Sequence, residues 1–192
     1  MEQLAADVLS FWFGDPGSTE YGRPRACWFR KDPVFDAAIA ERFAEAVSIA
    51  LAGGSGEWCI SASGALARIL LLDQFTRNAF RDTPAAFAGD ARALATAEDA
   101  VGRGDDRALE PLERWFMYMP FEHAEDRAAQ ARSLALFGAL AAETGLASPL
   151  EWARRHAAVI ERFGRYPHRN GILGRESTPE EIAFLATPGS GF

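Results

Sequence analysis

A chain of 192 residues, 48% hydrophobic and 24% charged, is long enough to bury a sizeable core and too apolar to be disordered. Its net charge of −7 argues against a general nucleic-acid binder, which needs a basic face, and against adhesion to an anionic membrane. Cys27 and Cys59 are the only cysteines, too few for a disulfide framework, and no secretory signal pattern is visible, so a reducing cytoplasm is expected.

The elements read as helices nearly throughout. Leu4 to Phe13 carries apolar residues at Leu4, Val8, Leu9, Phe11 and Trp12 and stops at Gly14, a suitable C′ glycine. Asp32-Pro33 opens a second helix, with Asp as N-cap and Pro at N1, and Phe35, Ile39, Phe43 and Val47 form its stripe. A third helix is predicted from Ser63 to Phe80. Its first half is apolar on every side, which marks it as the central buried helix. A fourth spans Asp90 to Val101, and a fifth, Leu112 to Met119, is expected to stop at Pro120. A sixth runs from Glu125 to Thr144. Ser148-Pro149-Leu150-Glu151 reads as a capping box for a seventh helix reaching Phe163, and Thr178-Pro179-Glu180-Glu181 repeats that chemistry for a short eighth. No alternating β-branched run reads as a strand. The expectation is one all-α domain over 1–186, built of stacked antiparallel helix pairs, with a flexible tail at 187–192.

Three polar clusters interrupt this apolar text. In the first, Asp73 shares a helix face with Ile69 and Leu70, and Arg77 follows one turn later in the favoured acid-then-base order. Asn78 and Arg81 extend the cluster to the helix end. In the second, Glu122 and His123 precede a helix whose first turn carries Glu125 and Asp126. Helix capping accounts for the last two acids. It does not account for Glu122 and His123, which suit a carboxylate-oriented general base; the alternative is a hydrogen-bonded core histidine. In the third, Arg165, His168, Arg169, Asn170 and Arg175 lie in a loop shaped by Gly164, Pro167, Gly171 and Gly174.

Charge beside core is costly unless paired, so the clusters are expected to meet in space. Lys31 is the lone lysine among 20 basic residues, so any carboxylate or phosphate contact is an arginine contact, planar and bidentate. The expected ligand is a small anion or an acidic peptide end. Arg77 and Arg169 would clamp it, and Asn78 and Asn170 would orient it. The alternatives are a hydrolase-like or isomerase-like enzyme using His123 or His168 with Glu122, and a purely structural ion network. No compact His or Cys spacing reads as a metal site, no phosphate loop occurs, and no cofactor is expected. The aromatics of Phe11-Trp12-Phe13 and Trp28-Phe29 are read as core, as are both cysteines.

These blocks together resemble the bacterial domain-of-unknown-function family 924. The resemblance rests on Val8-Leu9-Ser10-Phe11-Trp12-Phe13-Gly14, Trp28-Phe29, Phe35-Asp36, and Leu71-Leu72-Asp73-Gln74-Phe75-Thr76-Arg77-Asn78. It continues through Pro120-Phe121-Glu122-His123-Ala124-Glu125-Asp126, Arg162-Phe163-Gly164-Arg165-Tyr166-Pro167-His168-Arg169-Asn170 and Ile172-Leu173-Gly174-Arg175-Glu176-Ser177-Thr178. It implies an all-α, TPR-like fold of about eight helices and carries no activity. Thr76 stands where the family pattern has Pro, leaving the helix less sharply ended before Arg77. Tyr166 stands where Phe is usual.

Overall fold

A computed structural model describes residues 2–190, among which lie eight α-helices and no strand. They are α1 (Glu2–Phe13), α2 (Pro33–Leu51), α3 over 62–79, α4 (Asp90–Arg103), α5 (Pro111–His123), α6 (Arg127–Thr144), α7 (Ser148–Phe163) and α8 (Pro179–Leu185). Short 3-10 turns at Ala26–Trp28, Pro84–Phe87 and Pro167–Arg169 carry side chains that matter below.

The helix starts follow from local chemistry. Asp32 accepts from the amides of Val34 and Phe35 at 3.0 and 3.1 Å, and Pro33 supplies a first residue that needs no partner. Asp126 accepts from the Ala129 amide at 2.8 Å and starts α6, two residues later than expected. Thr178 and Glu181 form the reciprocal capping box of α8. The box expected at Ser148 does not form, because the helix already includes Ser148 and its side chain makes no cap hydrogen bond. Pro120 does not end α5. The helix runs on to His123 with every residue from Arg114 to His123 buried, so packing on its flanks outweighs the lost backbone bond.

α3 is the axis of the fold, packed against α1, α2, α4 and α5. Leu66, Ile69, Leu70, Leu71, Leu72 and Phe75 are fully buried in it. Burying each such side chain contributes about 1.5–3 kcal/mol relative to exposure. Its course holds one irregularity, a π-helical stretch at Leu70–Phe75 between α-helical Ala62–Ile69 and Thr76–Ala79. Within it the Thr76 hydroxyl donates to the Leu72 carbonyl at 2.9 Å. Gly89 rests on the same carbonyl: a Cβ there would lie 2.0 Å from the Leu72 oxygen. Only glycine lets the start of α4 come this close.

Aromatic rings pack where α1 ends. Trp12 is fully buried, stacks on Trp28 at 6.0 Å and meets Phe116 edge-on at 5.4 Å. The last carbonyls of α1 are satisfied by Arg25, which donates to Phe11 and Trp12 at 2.7 and 2.9 Å, and by the Trp28 indole at 3.1 Å. These bonds fix the segment after α1 and place Phe29 against Trp115 at 5.1 Å. Phe29 is half exposed there, which corrects its reading as core. Cys27 and Cys59 are free and only partly buried, each lying in or beside a surface 3-10 turn.

After α8 the chain folds back: Thr187 N–H donates to Phe184 at 2.9 Å and the Ser190 hydroxyl donates to Leu185 at 3.1 Å. Gly191 and Phe192, the end of the expected tail, lie outside the described residues. Among the described residues no helix is long and apolar enough to cross a membrane.

Candidate functional site

A cleft of about 470 Å3 opens beside the second half of α3. Its lining mixes apolar Trp28, Phe29, Trp115, Met119 and Trp152 with polar Arg77, Glu122, His123, His156, His168 and Arg169. All three histidines of the chain line it, although they come from the end of α5, the middle of α7 and the Pro167–Arg169 turn.

At the floor lies Asp73, fully buried in the π-helical stretch. Its carboxylate meets His123 Nδ1 at 2.7 Å, the Gln74 amide at 2.6 Å and Arg77 Nη1 at 3.1 Å. Burial pushes this carboxyl up, but the Arg77 charge and the bonds from His123 and Gln74 outweigh it and hold it below the usual carboxylate range. A charged Asp73 keeps the proton of His123 on Nδ1, which leaves Nε2 for the cleft. Burial lowers the His123 pKa, with Asp73 pulling the other way. Burial also lowers His156 to about 3 and His168 to about 4, so these rings are neutral near pH 7.

Glu122 is the second anomaly. It is 3% exposed, its Oε1 lies 3.2 Å from His156 Nδ1, and its buried Oε2 has no hydrogen-bond partner among the described residues. Burial, with the charge of Asp73, lifts its pKa to about 8. It therefore carries a proton at neutral pH.

The arginines divide the work. Arg77 forks onto Asp90 at 2.8 and 3.1 Å while touching Asp73, so its charge is fully answered. Asp90 sits in the first turn of α4, a favourable place for an acid. Arg169 meets the same Asp90 only at 3.3 Å, and its buried Nε has no partner among the described residues. Its guanidinium lies between the rings of Phe87, 4.8 Å away, and Tyr166, 4.5 Å away. Burial and the neighbouring Arg77 lower its pKa. Asn78 and Arg81 line the cleft as well, both held by Asp36 of α2 at 2.7–3.0 Å.

The remaining expected residues are placed elsewhere. Asp126 caps α6. Arg165 forks onto Glu181 at 2.7 and 2.8 Å, and Arg175 forks onto Glu125 at 2.6 and 2.9 Å. Asn170 bonds Ser177, Glu181 and Arg175. Arg165, Asn170 and Arg175 hold the late loop against α8 and the segment before α6, and none of the four lines the cleft. The loop in turn presents His168 and Arg169. Tyr166 joins the two groups: its hydroxyl donates to the Glu122 carbonyl at 2.5 Å and accepts from Gln130 at 2.9 Å, bonds that a Phe at this position could not make.

The description "Bacterial protein of unknown function (DUF924)" matches residues 8–189. The chain belongs to this family. A solved structure of a protein of unknown function from Agrobacterium tumefaciens is 42% identical, with a TM-score of 0.84, over 96% of this chain and 98% of that one. No curated protein matches. Membership in the family fixes the all-α fold and leaves the chemistry to the site.

Four contributors escaped the reading of the sequence. Asp90 marked only the start of a helix, and Asp36 only a point of family resemblance. His156 was detectable as a histidine on the otherwise buried face of Ala153, Val159 and Ile160. Gln74 shows itself only through the π-helical turn, which left no mark in the sequence. Among the described residues no group of three or more His, Cys, Asp or Glu could hold a metal ion.

Proposed function

We propose that the cleft binds a small organic anion, with Arg169 as its anchor and the aromatic lining as the seat of its apolar body. The observation that carries this is a guanidinium 6% exposed, over two aromatic rings, with its one ion pair, to Asp90, at 3.3 Å and shared with Arg77. A planar fork held in this way is prepared for a carboxylate or phosphate and loses little freedom on meeting one. The aromatic lining of Trp28, Phe29, Trp115 and Trp152 gives contact area at low entropic cost. A concave site with an apolar lining and a few convergent polar groups is the usual form of a small-molecule pocket.

An acidic peptide end is the other occupant of matching chemistry, and a TPR-like array of helix pairs would present it a concave face. The buried floor of Asp73, Glu122 and three neutral histidines favours the small molecule, because a peptide end has no need of such a floor. A cytoplasmic setting, consistent with two free cysteines, belongs to the same proposal. A second reading, catalysis of the hydrolase or isomerase kind, is supported by the Asp73–His123 pair, since perturbed titrating groups gathered in a cleft are the mark of acid–base chemistry.

A thermal-shift screen with phosphates, carboxylates and nucleotides tests the binding proposal. A ligand at 100 times its Kd stabilises by about 2.7 kcal/mol, which for this chain length raises the midpoint by about 5–10 °C. No anion that shifts the midpoint, or a shift unchanged in Arg169→Ala, rejects it.

A further inference from the structure

We propose that the cleft catalyses proton transfer at the carbon next to the keto group of a small 2-oxo acid, with His123 as base and Glu122 as acid. The inference rests on the organic-anion reading above and adds the reaction and the substrate class.

Three features of the cleft point this way. First, base and acid are already in the states the reaction needs. His123 is fixed by Asp73 at 2.7 Å with Nε2 turned to the cleft, and burial keeps the ring neutral near pH 7. Glu122, the next residue on α5, is buried and keeps its proton up to about pH 8. A neutral imidazole and a neutral carboxylic acid that line one cleft can serve as base and acid, and neither need exchange protons with solvent before turnover. Second, none of the described lining residues carries a hydroxyl or thiol, so among them no Ser, Thr, Tyr or Cys nucleophile is available. Third, Arg169 can hold the carboxylate while the aromatic lining takes the side chain. All three groups, Arg169, His123 and Glu122, line the same cleft.

The step balances without a co-reactant. Nε2 of His123 takes a proton from C3, and the C–H pair becomes the C2–C3 double bond. The carbonyl π pair moves to O2, and Glu122 gives O2 its proton. The product is the enol, the same atoms as the keto acid. The imidazolium and carboxylate then re-equilibrate through water in the open cleft. In the reverse direction a proton from solvent returns to C3.

Proton NMR in D2O tests this, with phenylpyruvate as the aryl probe and 2-oxohexanoate as the alkyl probe, and calorimetry measures binding of each in parallel. The wild-type protein is expected to speed loss of the C3 proton signal of at least one probe by about 100-fold or more over buffer, the scale of positioned acid–base catalysis. His123→Ala is expected to return exchange to the buffer rate while the probe still binds. If the alanine variant fails to fold, His123→Asn keeps a donor toward Asp73 and serves in its place. Glu122→Gln is expected to lose about tenfold or more. Wild-type exchange should decline above about pH 8, where Glu122 gives up its proton. Binding without exchange overturns the inference and leaves the anion site standing. Exchange that survives in the His123 variants also overturns it. Binding of neither probe overturns the inference, and the thermal-shift screen with other anions then decides the anion site by itself.

Discussion

Asp73 Oδ1 stands 2.7 Å from His123 Nδ1, a contact between residues 50 apart in sequence, and it joins the π-helical turn of α3 to the last residue of α5. Asp73 raises the His123 pKa against the effect of burial. Replacing it with Asn removes that support, so the imidazole should titrate lower still than in the wild type, as read from its ring-proton NMR shifts between pH 4 and 8. An unchanged His123 titration would mean the two groups are not electrostatically linked. Arg77 keeps Asp90 in this variant, so the stability loss should be about 1–3 kcal/mol, below that of stranding an unpaired buried charge.

Glu122 predicts the pH dependence of folding. Its folded pKa of about 8 lies above the ordinary 4.5, so between these values the unfolded chain releases a proton that the folded chain keeps. Stability contributed by this group is complete below pH 4.5 and is lost as pH rises through about 8. The histidines act at the other end. His156 and His168 titrate at about 3 and about 4, below their ordinary 6.5, so the unfolded chain takes up protons first and stability falls as pH drops below 6.5. Urea denaturation should therefore show greatest stability near pH 6–7. Glu122→Gln should abolish the decline between pH 6.5 and 8 and steepen the fall between pH 6.5 and 4.5, where Glu122 otherwise offsets part of the histidine effect. A decline of equal size in the variant would assign it to another group.

Gly89 tests the packing that brings Asp90 to Arg77. A methyl group 2.0 Å from the Leu72 carbonyl oxygen must push the start of α4 away from α3. Gly89→Ala should cost about 1–3 kcal/mol, the scale of overpacking a close contact. It should also weaken anion binding through displaced arginines. Wild-type stability in this variant would show that the helices separate freely there.

The loop that carries Arg169 is held at a distance from the cleft. Arg175 forks onto Glu125 at 2.6 and 2.9 Å and also bonds Asn170 and the Tyr166 carbonyl. Arg175→Ala should therefore speed amide hydrogen exchange between residues 165 and 178 by about tenfold or more, equivalent to losing about 1.4 kcal/mol of local stability. Protection unchanged across that segment would show that the other contacts hold the loop alone.

The fold was largely legible because it is written in local signals. The stripe of Phe35, Ile39, Phe43 and Val47, the Asp32-Pro33 start and the Gly14 stop each specify their element within a few residues. Pro120 misled because the helix it should end is buried on all sides, and packing from distant segments decides such cases. The site was half legible. Clustered charges beside core marked Asp73, Arg77, Glu122, His123, His168 and Arg169, but the same signal marked Arg165, Asn170 and Arg175, which lock the loop. Composition cannot tell an arginine that holds a loop from one that faces a ligand. That difference is set by partners such as Glu181 and Glu125 arriving from elsewhere in the chain. The π-helical turn, which aims Asp73 and Gln74, depends on the long-range meeting of α3 with α2, α4 and α5 and left no local trace.

Isothermal titration calorimetry of phenylpyruvate and inorganic phosphate against the wild-type protein and Arg169→Gln bears most directly on the cleft as an anion site. The account predicts saturable one-to-one binding of at least one of them at neutral pH. It further predicts affinity at least about tenfold weaker in the variant, the loss of one charge-assisted contact, with both proteins melting within a few degrees of each other. No binding by either anion, or equal binding by both proteins, would contradict it.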